Sequence, residues 1–261
     1  MSRFLEVVLD LPLNQSFTYS VPQQMEGSVG FGYRVVVPFG KREMTGYVIK
    51  ELDACSVSYT IKPVKRVIDK TPLFTANSVD LATWMSRLYL CSMGEALSIM
   101  IPGGRRDAST PALEVEEDLS FAAIDQLSDE QLHAIETIGK KEKSMYYLYG
   151  VTGSGKSEVF LRSAEQVIEQ GKSVIYLVPE ITLTHQLAKQ VTNRFANKVA
   201  ILHSALTPSQ RLKQYKKIIH NEVQLIIGAR SAVFAPCEHL GMIIVDEEHE
   251  NSYKSGNTPR Y

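Results

Sequence analysis

One stretch restricts the possible folds more than any other: "YGVTGSGKSEVF", which holds Gly150-Val151-Thr152-Gly153-Ser154-Gly155-Lys156-Ser157. These eight residues fit the pattern GxxxxGK[ST]. Their setting fits as well, with a β-rich run before them and an amphipathic helical pattern after. Three glycines let backbone N–H groups turn inward around phosphate oxygens at a helix N-terminus, where the helix dipole favours anions. Lys156 would reach the β- and γ-phosphates, and the Ser157 hydroxyl would ligate magnesium. A ligand-free glycine turn would not need all of these features together. The expected frame is a strand–loop–helix unit within a parallel sheet.

The surrounding chain follows that frame. "SMYYLYG" is expected as a strand ending at Gly150, with a helix from the loop through Gly171. "KSVIYLVP" predicts a strand and "TLTHQLAKQVTNRF" a helix. "KVAILHS" (strand), "SQRLKQYKKIIHN" (helix), "VQLIIGA" (strand) and "GMIIVDEE" (strand) follow. The strands are near-continuous Val/Ile/Leu runs, as in a parallel sheet buried on both faces.

A nucleotide hydrolase also needs an acidic residue at the end of a neighbouring buried strand. "MIIVDEEH" supplies one ninety residues after Lys156. Asp246 would hold magnesium through water, and Glu247 would orient and deprotonate the attacking water. Acidic clusters usually just face solvent; this one directly follows four apolar residues. With the phosphate loop, it specifies a magnesium-dependent NTP hydrolase core, with Lys156, Asp246 and Glu247 as catalytic candidates.

The first third of the chain reads differently. "YRVVVPFG" and "MTGYVIKEL" are β-rich runs joined by a charged turn, and "YTIKPVKRVID" continues the alternation. "NSVDLATWMSRLYLC" has helical spacing behind an Asn or Ser cap. Residues 1–104 therefore predict a small, mainly-β domain closed by a helix. Its aromatics (Phe17, Tyr19, Phe31, Tyr33, Phe39, Tyr47) form either a packed core or a base-stacking surface, and the core accounts for most of them.

Between the halves, residues 105–126 carry two basic against six acidic groups, include Pro111 and lack an amphipathic period. They read as a linker, leaving 127–261 as the nucleotide-binding lobe. The net charge of −1 neither demands nor excludes nucleic acid, so any such site is local. Cys55, Cys91 and Cys237 fit neither a disulfide framework nor a CxxC metal site. With no signal peptide pattern and no apolar run of membrane-spanning length, a cytoplasmic protein without membrane contact is expected.

Further stretches carry a resemblance. "LSDEQ", "GVTGSGKSEVF", "LVPEITLTHQ", "LHSAL", "GARSAVFAP" and "DEEHENSYK", in this order and spacing, resemble the superfamily 2 DExH helicases. Within those, they resemble the PriA family of replication-restart helicases; "FTYSVP" and "GYRVVVPFGKR" resemble that family's start. The resemblance covers the chain except for the linker. It implies an α/β fold: a mainly-β domain binding the 3′ end of DNA, then a RecA-like P-loop lobe with a parallel sheet flanked by helices.

The resemblance also implies site roles. Gln131 would recognise adenine. Thr182, Thr184, Arg230 and Ser231 would grip single-stranded DNA along its backbone, contacts that position without reading sequence. Read alone, the two threonines are a helix cap and Arg230 a surface residue. Tyr253 and Lys254 would open an aromatic-rich loop coupling DNA contact to hydrolysis. Phe17, Tyr19, Gly40 and Lys62 match a pocket for the 3′ end of the nascent strand, where Thr18 stands in place of an aspartate. An aromatic to stack on, a glycine for close approach and a lysine for phosphate suit a strand terminus. A strand edge with core aromatics fits those residues as well.

The implied function is ATP-dependent 3′–5′ unwinding at stalled or forked DNA. ATP and Mg2+ are the cofactors; DNA, other primosome proteins and single-stranded DNA-binding protein are the partners. Two departures shape the expectation: only residues 105–126 stand where the family has a winged-helix module, and nothing here matches its second lobe or zinc-binding cysteines. A truncated form is expected, binding ATP and DNA, unwinding little and holding no zinc. The alternative is a non-enzymatic adaptor fragment that binds forked DNA. A P-loop kinase is disfavoured because no phosphoryl acceptor site is apparent.

Overall fold

The computed structural model describes residues 3–54, 57, 59–103, 126–151, 153–179 and 191–254. They form two compact units, each with its own sheet.

The first unit is built on β1 (Phe4–Leu9), β2 (Phe17–Ser20), β3 (Arg34–Phe39), β4 (Arg42–Leu52) and two short strands, β5 (Lys62–Pro63) and β6 (Arg66–Val67). Their order in the sheet is β5-β2-β1-β4-β3-β6. All neighbours are antiparallel except β2 and β5, which run parallel with Tyr19 opposite Lys62. Period-2 alternation sends Leu5, Val7 and Leu9 of β1, with Val35 and Val37 of β3, into one core with Tyr19 and Val48. Phe17, Tyr33 and Phe39 pack against it, so the aromatics expected in the core are largely there.

Two helices, α1 (Ala76–Tyr89) and α2 (Met93–Met100), close this unit, where one was expected. The sequence signal for α2 is "SMGE", a capping box: Ser92 Oγ accepts from the Glu95 N–H at 3.1 Å while the Glu95 carboxylate accepts from the Ser92 N–H at 2.8 Å. The cap of α1 is Thr75, ahead of the expected Asn or Ser; Ser78 answers it from the first turn, accepting from the Thr75 N–H at 3.3 Å. Arg34 is buried against Asp69 in a two-pronged ion pair, Nε to Oδ2 at 2.9 Å and Nη2 to Oδ1 at 2.8 Å. Its Nη1 donates to the Pro102 carbonyl at 2.8 Å, tying sheet to helix end.

The second unit carries an all-parallel sheet. After α3 (Asp129–Gly139) and α4 (Lys156–Glu169) come β7 (Ser173–Leu177), β8 (Val199–Leu202), β9 (Leu225–Gly228) and β10 (Leu240–Val245); α5 (Pro208–Ile219) lies between β8 and β9 in sequence, with residues 206–216 grouped with the first unit. The sheet order is β10-β7-β9-β8. One face buries Val174, Tyr176, Leu225, Ile227 and Ile244 against Leu161, Ala164, Val167 and Ile168 of α4 and against Val191 and Phe195. The α4 residues recur at helical spacing, which turns its apolar stripe onto the sheet. The two units together give the expected mainly-β region followed by an α/β lobe.

The expected strand Ser144–Gly150 is not formed. Residues 145–150 lie outside the sheet, with Met145 and Tyr149 each 85% exposed. Strand propensity needs a partner edge to act on. The nearest candidate, the outer edge of β10, is unpaired among the described residues, and Ile243 stays 48% exposed on it. Local pattern suggested a strand; tertiary pairing did not supply its neighbour.

Among the described residues no helix is long and apolar enough to cross a membrane. Cys91 and Cys237 are free thiols. Burial pushes both up, Cys237 to about 12, which makes them poor nucleophiles. Cys55 lies outside the described residues.

Candidate nucleotide site and nucleic-acid interface

The phosphate loop is positioned by α4. Gly155 caps this helix in the left-handed conformation at φ 80°, and Gly153 shares that region at φ 82°. Only glycine enters it without strain, so the spacing of the motif is a backbone requirement. Lys156 and Ser157 occupy the first turn, where unpaired N–H groups and the helix dipole attract anions. Lys156 Nζ donates to the Gly150 carbonyl at 2.6 Å and the Val151 carbonyl at 3.0 Å, which holds its ammonium over the loop. Thr152 lies outside the described residues.

Gln131 joins the same site from α3. It completes a capping box with Ser128, and its Nε2 donates to the Ser154 carbonyl at 3.0 Å. A Cβ on Gly155 would collide with that amide, so the third glycine of the loop also makes room for Gln131.

The acidic box arrives from β10. The Asp246 N–H donates to the Leu177 carbonyl at 2.9 Å, extending the β10–β7 ladder by one residue and fixing where the carboxylates begin. Asp246 Oδ1 accepts from the Glu247 N–H at 3.0 Å, and Oδ2 accepts from the Tyr176 hydroxyl at 2.8 Å. Glu247 is an exposed residue at φ 48°, a backbone turn that carries the chain away from the strand. The Tyr147 hydroxyl donates to Glu248 at 3.2 Å, and the charge of Glu248 raises that phenol above its usual value.

The phosphate loop and the acidic box share one groove of about 1450 Å³. Lys156, Ser157, Asp246 and Glu247 line it together with Tyr176 and Phe160. The donor set is a hydroxyl and carboxylate oxygens beside a helix N-terminus. That matches a hard cation bound with phosphate, since magnesium takes few protein oxygens and completes its shell with phosphate and water. The site residues therefore fit Mg2+ and a nucleotide.

Behind the loop, Glu158 is buried and held on both oxygens, by Arg194 Nη1 at 2.7 Å and Arg162 Nε at 2.9 Å. Burial pushes its carboxyl up, but the Arg194 and Arg162 hydrogen bonds outweigh this and leave it below its usual 4.5. Arg194 also takes both oxygens of Glu165. None of these residues was singled out in the sequence; the only signal was an acidic residue directly after GKS, facing the apolar side of α4.

In the first unit, the residues expected at a strand-terminus pocket lie on β2, on β5 and in the β3–β4 turn. Phe17 stacks edge-on against Phe39 at 5.1 Å between ring centres. Tyr19 sits beside Lys62 across the β2–β5 pair, and its hydroxyl donates to the Pro38 carbonyl at 3.2 Å. Burial, then the nearby Tyr59, pushes the Tyr19 phenol up to about 12. Gly40, at φ 59°, turns the chain from β3 to β4 with open space where a Cβ would be. Lys62 is exposed. The half-exposed Tyr59 was missed: its hydroxyl accepts from the Thr18 N–H at 2.9 Å.

The remaining expected DNA residues are less gathered. Thr182 and Thr184 lie outside the described residues. Arg230 opens a short 3-10 helix (Arg230–Phe234) and its Nη1 donates to the Ser252 carbonyl at 3.4 Å; Ser231 beside it is exposed. Tyr253 ends another 3-10 turn, with Lys254 exposed after it.

Fold and site together define a P-loop α/β lobe with a parallel sheet, preceded by a mainly antiparallel sheet unit. The model for the DEAD/DEAH box helicases matches residues 128–260, and the chain belongs to that family. Residues 6–102 match the 3′DNA-binding domain (3′BD) of PriA. The chain is similar to Replication restart protein PriA of Treponema pallidum, at 44% identity over its whole length and 41% of the relative's. It is also similar to Replication restart protein PriA of Bacillus subtilis, at 28% identity over 99% of this chain and 50% of that one. The protein of the same name from Helicobacter pylori J99 is 33% identical over 88% of this chain. The chain thus spans about half or less of the length of these relatives.

Proposed function

We propose that this chain is the ATP- and fork-binding part of a 3′–5′ DNA helicase that restarts replication and initiates primosome assembly in the cytoplasm. The observation that carries this reading is the shared groove, in which the phosphate loop and the DEEH box face one cavity. Lys156 binds the β- and γ-phosphates, and Gly150 to Ser157 cradle them. Gln131 recognises adenine. Ser157 and Asp246 hold magnesium, which supplies charge neutralisation at the transferred phosphate; Glu247 orients and deprotonates the water.

Residues 1–104 bind the 3′ end of DNA through Phe17, Tyr19, Gly40 and Lys62, with Thr182, Thr184, Arg230, Ser231, Tyr253 and Lys254 on the single strand. Residues 105–126 link them to the lobe at 127–261; the family matches at 6–102 and 128–260 support this division. Forked and single-stranded DNA, other primosome proteins and single-stranded DNA-binding protein are the partners. The 261 residues alone bind both ATP and DNA but unwind little, since a helicase motor works by moving two lobes around the nucleotide. An unwinding assay on a forked duplex tests this: binding of both ligands with little strand separation is expected. Robust ATP-dependent unwinding by the chain alone would overturn the last point, and absence of nucleotide binding would overturn the whole reading.

A further inference from the structure

We infer that Tyr176 is a positioning residue for Asp246, presetting that carboxylate for a magnesium-bound nucleotide. The inference rests on the proposed role of Asp246. Its argument begins in strand register. β7 and β10 are parallel, with Tyr176 opposite Ile244. Paired residues of parallel strands project to the same face, and side chains repeat every second residue. Tyr176, Ile244 and Asp246 therefore share the face that α4 covers. Tyr176 is fully buried there, its ring edge-on to Phe160 of α4 at 6.1 Å. From that anchor the phenol reaches past the strand end, and its hydroxyl donates to Asp246 Oδ2 at 2.8 Å.

The other oxygen of Asp246 accepts from the Glu247 N–H. Both carboxylate oxygens thus meet a donor, one from the buried sheet residue Tyr176 and one from the backbone turn that follows β10. An ionised carboxylate accepts at about four sites, so these two hydrogen bonds do not by themselves exhaust it. A neutral phenol orients the group without cancelling its charge, so attraction for a cation is retained. Groups of this kind behind a metal ligand are worth about 10–100-fold in metal affinity. The packing of β7 does not itself call for a hydroxyl here: its neighbours are Val, Ile and Leu, and an aliphatic side chain would fill the strand without a polar group to satisfy.

The test is Tyr176→Phe, which removes one oxygen and keeps the ring. The probe is ADP bearing an N-methylanthraniloyl fluorophore, titrated onto the full chain with and without Mg2+. In wild type, Mg2+ strengthens binding. In Tyr176→Phe, the Mg2+-free affinity stays within about twofold while the Mg2+ enhancement falls about tenfold. In an Asp246→Asn background, Tyr176→Phe has no further effect on the Mg2+ response, because the two residues act as one unit. A merely structural tyrosine would lower thermal stability and leave the Mg2+ response as in wild type, and that result overturns the inference. Full loss from Tyr176→Phe in the Asp246→Asn background also overturns it. A wild-type chain that binds the probe with no Mg2+ response removes the role of Asp246, and the inference with it.

Discussion

Arg194 Nη1 reaches the Glu158 carboxylate at 2.7 Å, one residue beyond the Ser157 of the phosphate loop. Glu158 is 6% exposed, so this contact is made largely out of water. It joins α4, which begins at the phosphate loop, to the helical residues 191–195.

Arg194→Met should cost about 1.5–3 kcal/mol, the range for hydrogen bonds to charged groups, read as a lower midpoint of urea unfolding. The pH dependence has a definite sign. The Glu158 carboxyl is depressed below 4.5, so its pairing stabilises the fold above about pH 4.5 and is lost as pH falls through the lowered value. The deficit of Arg194→Met should therefore be full at neutral pH and narrow below pH 4.5. A deficit constant across that window would contradict the assignment.

Asp69→Ala should be the more damaging change. It leaves the Arg34 guanidinium, 4% exposed, without the carboxylate that engages it twice. Removing one partner of a buried pair costs about 3–5 kcal/mol. Replacing both, as Arg34→Met with Asp69→Leu, should recover most of that loss in the same unfolding assay. If the double variant is as unstable as the single, the pair is doing more than satisfying two buried charges.

Gly155→Ala tests the backbone logic of the phosphate loop. The new Cβ sits at φ 80° and meets the Gln131 amide. Left-handed backbone costs an L-residue about 1–2 kcal/mol, and the loop must shift to relieve the collision. Nucleotide affinity, measured by fluorescence titration, should fall at least about tenfold, the equivalent of 1.4 kcal/mol. Unchanged affinity would mean that the loop tolerates another cap.

Lys62→Ala addresses the proposed contact with the 3′ end of DNA. Lys62 is exposed beside Tyr19, so its removal should leave folding intact. If it contacts a phosphate, binding to a labelled 3′-ended duplex should weaken and the slope of log affinity against log salt should drop by about one. An unchanged slope would remove Lys62 from the interface.

What could be read from sequence was chemistry carried by contiguous residues. GxxxxGKS fixes its own loop because glycine geometry and helix capping are local. β7, β9 and β10 announced themselves as apolar runs between turn signals. What could not be read was pairing at a distance. "SMYYLYG" has strand-like residues, but whether it joins a sheet depends on an edge elsewhere, and β10 does not pair with it. Tyr176 looked like one more residue in a buried run, because its partner Asp246 stands seventy positions on. Tyr59 beside Thr18 and Arg34 beside Asp69 were hidden for the same reason. α2 and α3 were missed despite local signals, the Ser92–Glu95 and Ser128–Gln131 boxes.

The most direct test of the account is Mg2+–ATP binding by Lys156→Ala beside wild type, followed by calorimetry on the full chain. The central claim is that the groove shared by the phosphate loop and the DEEH box is a nucleotide site, with Lys156 its main cationic contact. Wild type should bind, and Lys156→Ala should lose about 100-fold or more in affinity, about 2.7 kcal/mol, with its thermal unfolding unchanged. Equal affinity in the two proteins would contradict the claim.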